Sequence, residues 1–356
     1  MFFVYHHYLT FISILYKIDV IIPILLLLYY IIHKYTNTQM IGLRLLQQYI
    51  RSSPIRHSIY KHINPVLTDV SLRDGIQGMS PNDMTLTRKV ELFHNIYSRK
   101  LAQNIEVGSV VNTKLLPIMV DVPSLYNYCG QYIDDSPDWN YQPRLHVVVP
   151  KLSYLETAVS QNMNNFAFLS SISNEFQKAN LNMTLSHTKK QLQVMNQYIK
   201  DNDVQGYKKL YISCVDTCPF RGKILNTDIA EEISEYSSWN IFDEICISDT
   251  CGRLTFTNFR YIIDICSQLN VDMDKISLHL HVSNRPTHIE NIIRYALNKR
   301  IHRFDVSMLS QGGCNITLTR KELHQNLSYE LFYGILTRYI DDLAKSHIDS
   351  VNNLKN

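Results

Sequence analysis

Beyond residue 64 nothing in this 356-residue chain divides it, for it has no long low-complexity stretch and no proline-rich linker. One large core can therefore account for that whole region. Charge is also sparse: charged residues make up 19% and the net charge is +3, too little to argue for a nucleic-acid partner. No basic patch with interleaved aromatics appears either. The hydrophobic share of 45% is that of an ordinary globular protein rather than a disordered one. Seven cysteines, odd in number and scattered, fit reduced thiols in an intracellular compartment better than a disulfide framework. Cys214 and Cys218 lack the second pair that a structural zinc site needs. Glycine, at 11 residues, is scarce.

The N-terminus is different. Residues 9–32 are almost wholly apolar, interrupted by Lys17 and Asp19, and are long enough to span a bilayer once. Lys34, Arg44, Arg51 and Arg56 follow, so the positive-inside rule would leave the rest of the chain cytosolic. A second reading starts at Met40, because residues 40–66 hold Arg44, Arg51, Arg56 and Lys61, several Ser and no acidic residue, the composition of a mitochondrial transit peptide. The expected organisation is a hydrophobic segment over 1–39, a basic linker or transit-like segment over 40–64, and one domain over 65–356.

Candidate strands lie near residues 66–70, 104–108, 144–149, 165–169, 209–215, 243–248, 275–281 and 302–307. Helical patterns separate several of them, as over 84–101 and 258–269. Alternating strands and helices imply a parallel sheet, and eight units close most simply as a (β/α)8 barrel. The expected fold is thus an α/β (β/α)8 TIM barrel with an N-terminal hydrophobic extension. Residues 121–143, polar and Tyr-rich, read as an extended connection over its mouth.

The stretch Asp69-Val70-Ser71-Leu72-Arg73-Asp74-Gly75-Ile76-Gln77 places an Arg-Asp pair after a short apolar strand, where a barrel keeps its chemistry. A guanidinium can meet a developing oxyanion, and a carboxylate beside it can take a metal or a proton. Gly75 is read as freeing the backbone to turn. In Ser277-Leu278-His279-Leu280-His281 the period of two along a strand points both imidazoles to one side. Gln311-Gly312-Gly313-Cys314 sets a thiol on a loop with paired glycines, and Asn326 follows.

With these segments, the chain resembles the 3-hydroxy-3-methylglutaryl-CoA lyase family, one of the metal-dependent barrels that make or break carbon-carbon bonds through enolates. Asn104-Ile105-Glu106-Val107-Gly108-Ser109, Tyr211-Ile212-Ser213-Cys214-Val215 with Cys218-Pro219-Phe220-Arg221-Gly222-Lys223, and Ile247-Ser248-Asp249-Thr250-Cys251-Gly252 look like further family segments in the family's order. The resemblance runs from about Val66 to about Leu336.

The resemblance implies a divalent ion, magnesium or manganese, held by Asp74, His279, His281 and Asn326, a donor set that suits these metals better than zinc. It implies that Arg73 stabilises an enolate oxygen, that Cys314 transfers a proton on a closing loop, and that Gln77 joins Arg73 in binding substrate. Glu106 matches a buried acid that orients the Arg-Asp pair, and a plain structural ion pair explains it equally well. The substrate's hydroxyl proton would go to Asp74 or His279. The implied partner is an acyl-CoA; the charge argues against nucleic acid, the apolar run offers a single-pass membrane attachment through residues 9–32, and a homodimer is a further expectation. The implied reaction cleaves 3-hydroxy-3-methylglutaryl-CoA or a similar 3-hydroxyacyl-CoA to acetyl-CoA and a 3-oxoacid, acetoacetate for the parent compound. Two alternatives stay open: a Claisen-type acyl-CoA synthase of the same barrel group, and a non-catalytic membrane-tethered relative.

Departures from the family pattern concern the loops. Val282-Ser283-Asn284-Arg285-Pro286 follows the second His where the family has Asp or Asn, a polar residue and Gly, and this is expected to remove support from the ligands. The spacing from Cys314 to Asn326 is a few residues longer than usual. Asn182, Asn315 and Asn326 head glycosylation sequons by pattern, and glycosylation of Asn326 would destroy the implied site.

Overall fold

The computed structural model describes residues 39–282, 286–309, 312 and 324–353. Contacts divide the chain into two compact units, Met1–His57 and Ser58–Asn356. In the first, helix α1 (Gln39–Arg51) precedes the start of α2 (Pro54–Ile63), and Arg56 lies 4.2 Å over the ring of Tyr49. Among the described residues no helix is long and apolar enough to cross a membrane; the span expected over 9–32 lies outside them.

The second unit is built on β1 (Val66–Asp69), β2 (Asn104–Ser109), β3 (Arg144–Val148), β4 (Phe166–Ser171), β5 (Lys208–Ser213), β6 (Glu244–Ser248), β7 (Ile276–His279) and β8 (Arg303–Val306). Each pairs in parallel with its neighbours in sequence, and β8 returns to β1 in the register Val66↔Arg303 to Asp69↔Val306, closing a barrel. This is the expected (β/α)8 barrel, and every strand lies within two residues of its expected limits.

The helices α3 (Leu86–Arg99), α4 (Val122–Asp134), α5 (Leu152–Ser160), α6 (Asn174–Leu181), α7 (Leu185–Asp201), α8 (Asn226–Ser238), α9 (Phe256–Gln268), α10 (Pro286–Asn298) and α11 (Tyr329–Asn353) follow the strands. α9 illustrates why they form. Thr255 caps it by accepting from the Asn258 N–H, and Phe259, Ile262, Ile263 and Cys266 recur at helical spacing on its buried face.

Two local expectations are corrected. Residues 121–143 are not an extended connection, because α4 occupies 122–134; Val122, Leu125, Tyr126, Cys129 and Ile133 bury one helical stripe and leave the polar residues outside. Gly75 is not needed for a left-handed turn. It closes a wide helical turn over Ser71–Gly75, and a Cβ there would sit 3.1 Å from Ser307 Oγ, so its smallness permits close packing against the chain leaving β8.

The strands alternate in character. Leu67, Ile105, Leu145, Phe166, Leu210, Ile245, Leu278 and Phe304 are apolar and buried, while between them Glu106, Lys209, Tyr211, Glu244, His279 and Asp305 are polar and equally buried. Barrels of this kind usually fill their interior with branched aliphatic side chains. Here much of the interior is a hydrogen-bonded ionic network.

Candidate active site at the barrel mouth

The turn after β1 presents two adjacent side chains in different directions. Val70 O accepts from both Arg73 N–H (3.2 Å) and Gly75 N–H (3.1 Å), a wide turn of the type found at functional sites. Arg73 Nε donates to Glu106 Oε2 on β2 at 2.8 Å, and its Nη1 donates to Asp74 Oδ1 at 2.7 Å. Burial opposes charge on both groups, but Glu106 and Asp74 raise the guanidinium's affinity for its proton, while Arg73 and the imidazoles hold Asp74 well below the usual carboxylate range. A bulge in β2 between Glu106 and Gly108 shifts the register. Such an extra residue lets Glu106 and Ser109, three positions apart, both serve the interior.

His279 and His281 do not share one strand as expected. β7 ends at His279, and His281–Val282 pairs antiparallel with Gln325–Asn326 in the register His281↔Asn326. The rings still converge, with centroids 4.8 Å apart. His279 Nδ1 lies 3.1 Å from Asp305 Oδ2, and His281 Nδ1 lies 2.9 Å from the backbone carbonyl of Asp249. Both partners can only accept when Asp305 is ionised, so each Nδ1 donates, and each neutral ring turns a bare Nε2 inward. The loss of ligand support expected from the sequence after His281 is therefore offset from elsewhere, by β8 and by the end of β6.

His279 Nε2 lies 4.0 Å and His281 Nε2 3.6 Å from Asp74 Oδ2, and one ligand atom from each of the three residues falls within 4.8 Å of the others. Asn326 Nδ2 donates to Asp74 Oδ2 at 2.9 Å, so all four residues expected around the ion are brought together. Gly312 closes over Asn326, where a Cβ would come within 2.3 Å of the amide. Burial lowers the proton affinity of both imidazoles; for His281 the facing Asp74 carboxylate outweighs this and raises it, whereas His279 stays lowered.

Sequence reading missed the support for this centre. Tyr211 Oη lies 2.6 Å from both Glu106 Oε1 and Asp305 Oδ2, and its ring lies 5.1 Å below the Arg73 guanidinium. Lys209 Nζ donates to Asp305 Oδ1 at 2.5 Å and lies 3.0 Å from Glu244 Oε1. Burial disfavours charge on Lys209 and Asp305 alike, but their mutual attraction keeps the amine raised and the carboxyl lowered. The available signal was charge at alternate positions of strongly apolar strands, as at Lys209, Glu244 and Asp305.

A divalent cation suits these residues. His281 Nε2 is buried and has no hydrogen-bond partner among the described residues. Asp74, Glu106, Glu244 and Asp305 face the buried cations Arg73 and Lys209, with Arg303 3.9 Å from Glu244 at the other end of the barrel. The carboxylates outnumber these cations by one, and carboxylate and amide oxygens beside two imidazoles suit a divalent ion.

Above the centre opens a cavity of about 620 Å³. Arg73, Asp74, Gln77, Tyr211, His279 and His281 line its floor side, and Val148, Leu169, Phe176, Leu115 and Leu116 give it apolar walls. Glu106 lies beneath, fully buried. Cys314 lies outside the described residues.

Comparison with known proteins bears on the fold and on what the chain resembles. No family model matches the chain. The chain resembles "Hydroxymethylglutaryl-CoA lyase, mitochondrial" of Arabidopsis thaliana, with 27% identity over 263 residues, 74% of this chain and 52% of that protein. The chain thus spans about half the length of that relative. The Bos taurus protein of the same name is 25% identical over 249 residues, 70% of this chain and 71% of its own length. Among solved structures, the barrel matches hydroxymethylglutaryl-CoA lyase from Pseudomonas aeruginosa with a TM-score of 0.64 and 22% identity, covering 81% of this chain and 92% of that one. An HMG-CoA lyase from Acinetobacter, solved with coenzyme A and 3-methylmalate, matches with a TM-score of 0.63 and 20% identity over 79% of this chain and 89% of that one.

Proposed function

We propose that the chain is a divalent-metal-dependent lyase that cleaves 3-hydroxy-3-methylglutaryl-CoA, or a close 3-hydroxyacyl-CoA, into acetyl-CoA and a 3-oxoacid. The observation that carries this reading is the convergence of Asp74, His279 and His281 beside Arg73, beneath a cavity of a size that takes small ligands. The named relatives support it.

Asp74, His279 and His281 would hold magnesium or manganese, joined by Asn326 once its amide presents oxygen. The ion, when bound, would polarise and align the substrate's hydroxyl and carbonyl oxygens. Asp74 or His279 would take the hydroxyl proton as the bond between the second and third carbons breaks. Arg73, with Nε and Nη1 fixed by Glu106 and Asp74, would aim its remaining edge at the enolate oxygen of the departing acetyl thioester. Tyr211 would keep Glu106 in place beneath it. Cys314 would return a proton to the acetyl carbon on a loop that excludes water, and Gln77 would help seat the acyl group. The lyase domain would comprise residues 65–356, preceded by a basic segment over 40–64 and a hydrophobic leader or anchor over 1–39.

The test is release of acetyl-CoA from a panel of 3-hydroxyacyl-CoAs by the purified protein supplied with manganese. Metal-dependent release, fastest with the 3-hydroxy-3-methylglutaryl thioester, is expected. A metal-loaded protein that cleaves none of them would overturn the reading.

A further inference from the structure

Cys214 and Cys218 play no part in the proposed chemistry, yet the fold prepares one of them to react. β5 ends at Ser213, and Cys214 (φ 64°) and Asp216 (φ 91°) both adopt left-handed backbone, which doubles the chain back on itself. The hairpin of Thr217–Cys218 with Gly222–Lys223 follows. This path brings Cys214 and Cys218 close enough for each sulfur to act on the other.

Two donors converge on Cys218 Sγ: the backbone N–H groups of Phe220 and Arg221 both point at it from 3.4 Å, while the thiol itself donates to Ser173 Oγ at 3.0 Å. A sulfur used only to fill space needs none of these, whereas consecutive N–H groups folded onto one atom stabilise an anion there. The Cys214 thiol and the two amides together draw the Cys218 thiol down to about 5, against the cost of burial. Burial and the neighbouring sulfur push Cys214 far upward, so of the two sulfurs Cys218, with two amides aimed at it, is the better nucleophile. Both residues are buried, and Phe220, whose backbone N–H meets the sulfur, is 53% exposed, which places the pair one residue below the surface.

We propose that Cys218 and Cys214 are a redox pair, in which hydrogen peroxide oxidises Cys218 and Cys214 then closes a disulfide. The Cys218 thiolate attacks one peroxide oxygen; the O–O bond breaks, and the leaving hydroxide takes a proton to become water. The sulfur, now a sulfenic acid, has lost the two electrons that the peroxide gained. Cys214 attacks that sulfur, the S–S bond forms as the S–O bond breaks, and the departing hydroxide leaves as water with the Cys214 proton.

The disulfide would reach the proposed metal centre through the backbone. Cys214 N–H donates to Thr250 Oγ1 at 2.8 Å, and Thr250 follows Asp249, whose carbonyl anchors His281. That consequence rests on the metal reading, whereas formation of the bond does not.

Treating the full chain with stoichiometric peroxide and then trypsin decides the matter, because both thiols fall in the peptide Leu210–Arg221. The expected peptide has lost two hydrogens, resists alkylation and regains both thiols with dithiothreitol. In Cys214→Ser the same treatment should leave Cys218 as a sulfenic acid that dimedone labels, and Cys218→Ser should prevent both products. If other thiols oxidise while this peptide stays fully reduced, or dimedone fails to label Cys218 in folded Cys214→Ser, the pair is structural. The unsubstituted protein carries the main comparison, so a misfolded variant does not rescue the proposal.

Discussion

Asp74 Oδ2 and His281 Nε2 stand 3.6 Å apart, too far for a good hydrogen bond and well placed for two ligands of one ion. The carboxylate and the imidazole are each fixed from behind, by Arg73 and by the Asp249 carbonyl. His281→Ala should therefore lower divalent-metal affinity by about tenfold or more. Elemental analysis after equilibrium dialysis checks this, and equal metal in mutant and parent would remove His281 from the ligand set.

Arg73 is held by two acids in a planar fork. Arg73→Lys keeps a charge but loses the paired geometry, so turnover should fall by about a hundredfold while metal content is unchanged. Steady-state kinetics on metal-matched samples give the answer; an unimpaired lysine variant would assign the guanidinium a structural role.

Tyr211 joins the Arg73 side of the centre to the His279 side through Glu106 and Asp305. Tyr211→Phe keeps the ring under Arg73 but takes a hydrogen-bond partner from two buried carboxylates. A loss of roughly 1–3 kcal/mol in unfolding free energy is expected, with lower turnover. Urea unfolding with the same slope and midpoint as the parent would show that the hydroxyl carries no load.

Asp69 at the end of β1 accepts from Tyr329 Oη at 2.7 Å and Ser71 N–H at 2.8 Å, but complete burial dominates and pushes its carboxyl up to about 6. The folded protein then binds this proton more tightly than the unfolded chain. Its contribution is fully present below the unfolded value of 3.8 and is lost as pH rises through about 6, amounting to roughly 3 kcal/mol. Asp69→Asn should flatten that part of the stability profile between pH 4 and 6, measured by denaturant titration at each pH. An unchanged slope would place the titration elsewhere.

Cys314 is expected to be alkylated in the free protein and protected by a substrate analogue, and Cys314→Ser to lose most activity while keeping its metal. Cys246 is buried, and desolvation with the nearby Asp305 raises it, so it should react slowly in both states. Mapping the alkylated positions by mass spectrometry, with and without analogue, would expose the idea as wrong if Cys314 is inert throughout.

The barrel was legible in the chain because its outward strand positions, such as Leu210, Ile212, Ile245 and Ile247, are apolar whatever their neighbours, and local alternation suffices to announce a strand. The motifs bearing Asp74, the two histidines and Asn326 were legible for a related reason: their residue types are chemically unusual where they stand. What tertiary structure alone decided is how they meet. Asp74 and Asn326 are 252 positions apart and touch only because the barrel closes β8 against β1. Closure also places Lys209, Tyr211 and Asp305 in one network with Glu106. In the linear chain each is an isolated polar residue on an apolar strand, and its partner lies across a barrel interior that exists only after folding.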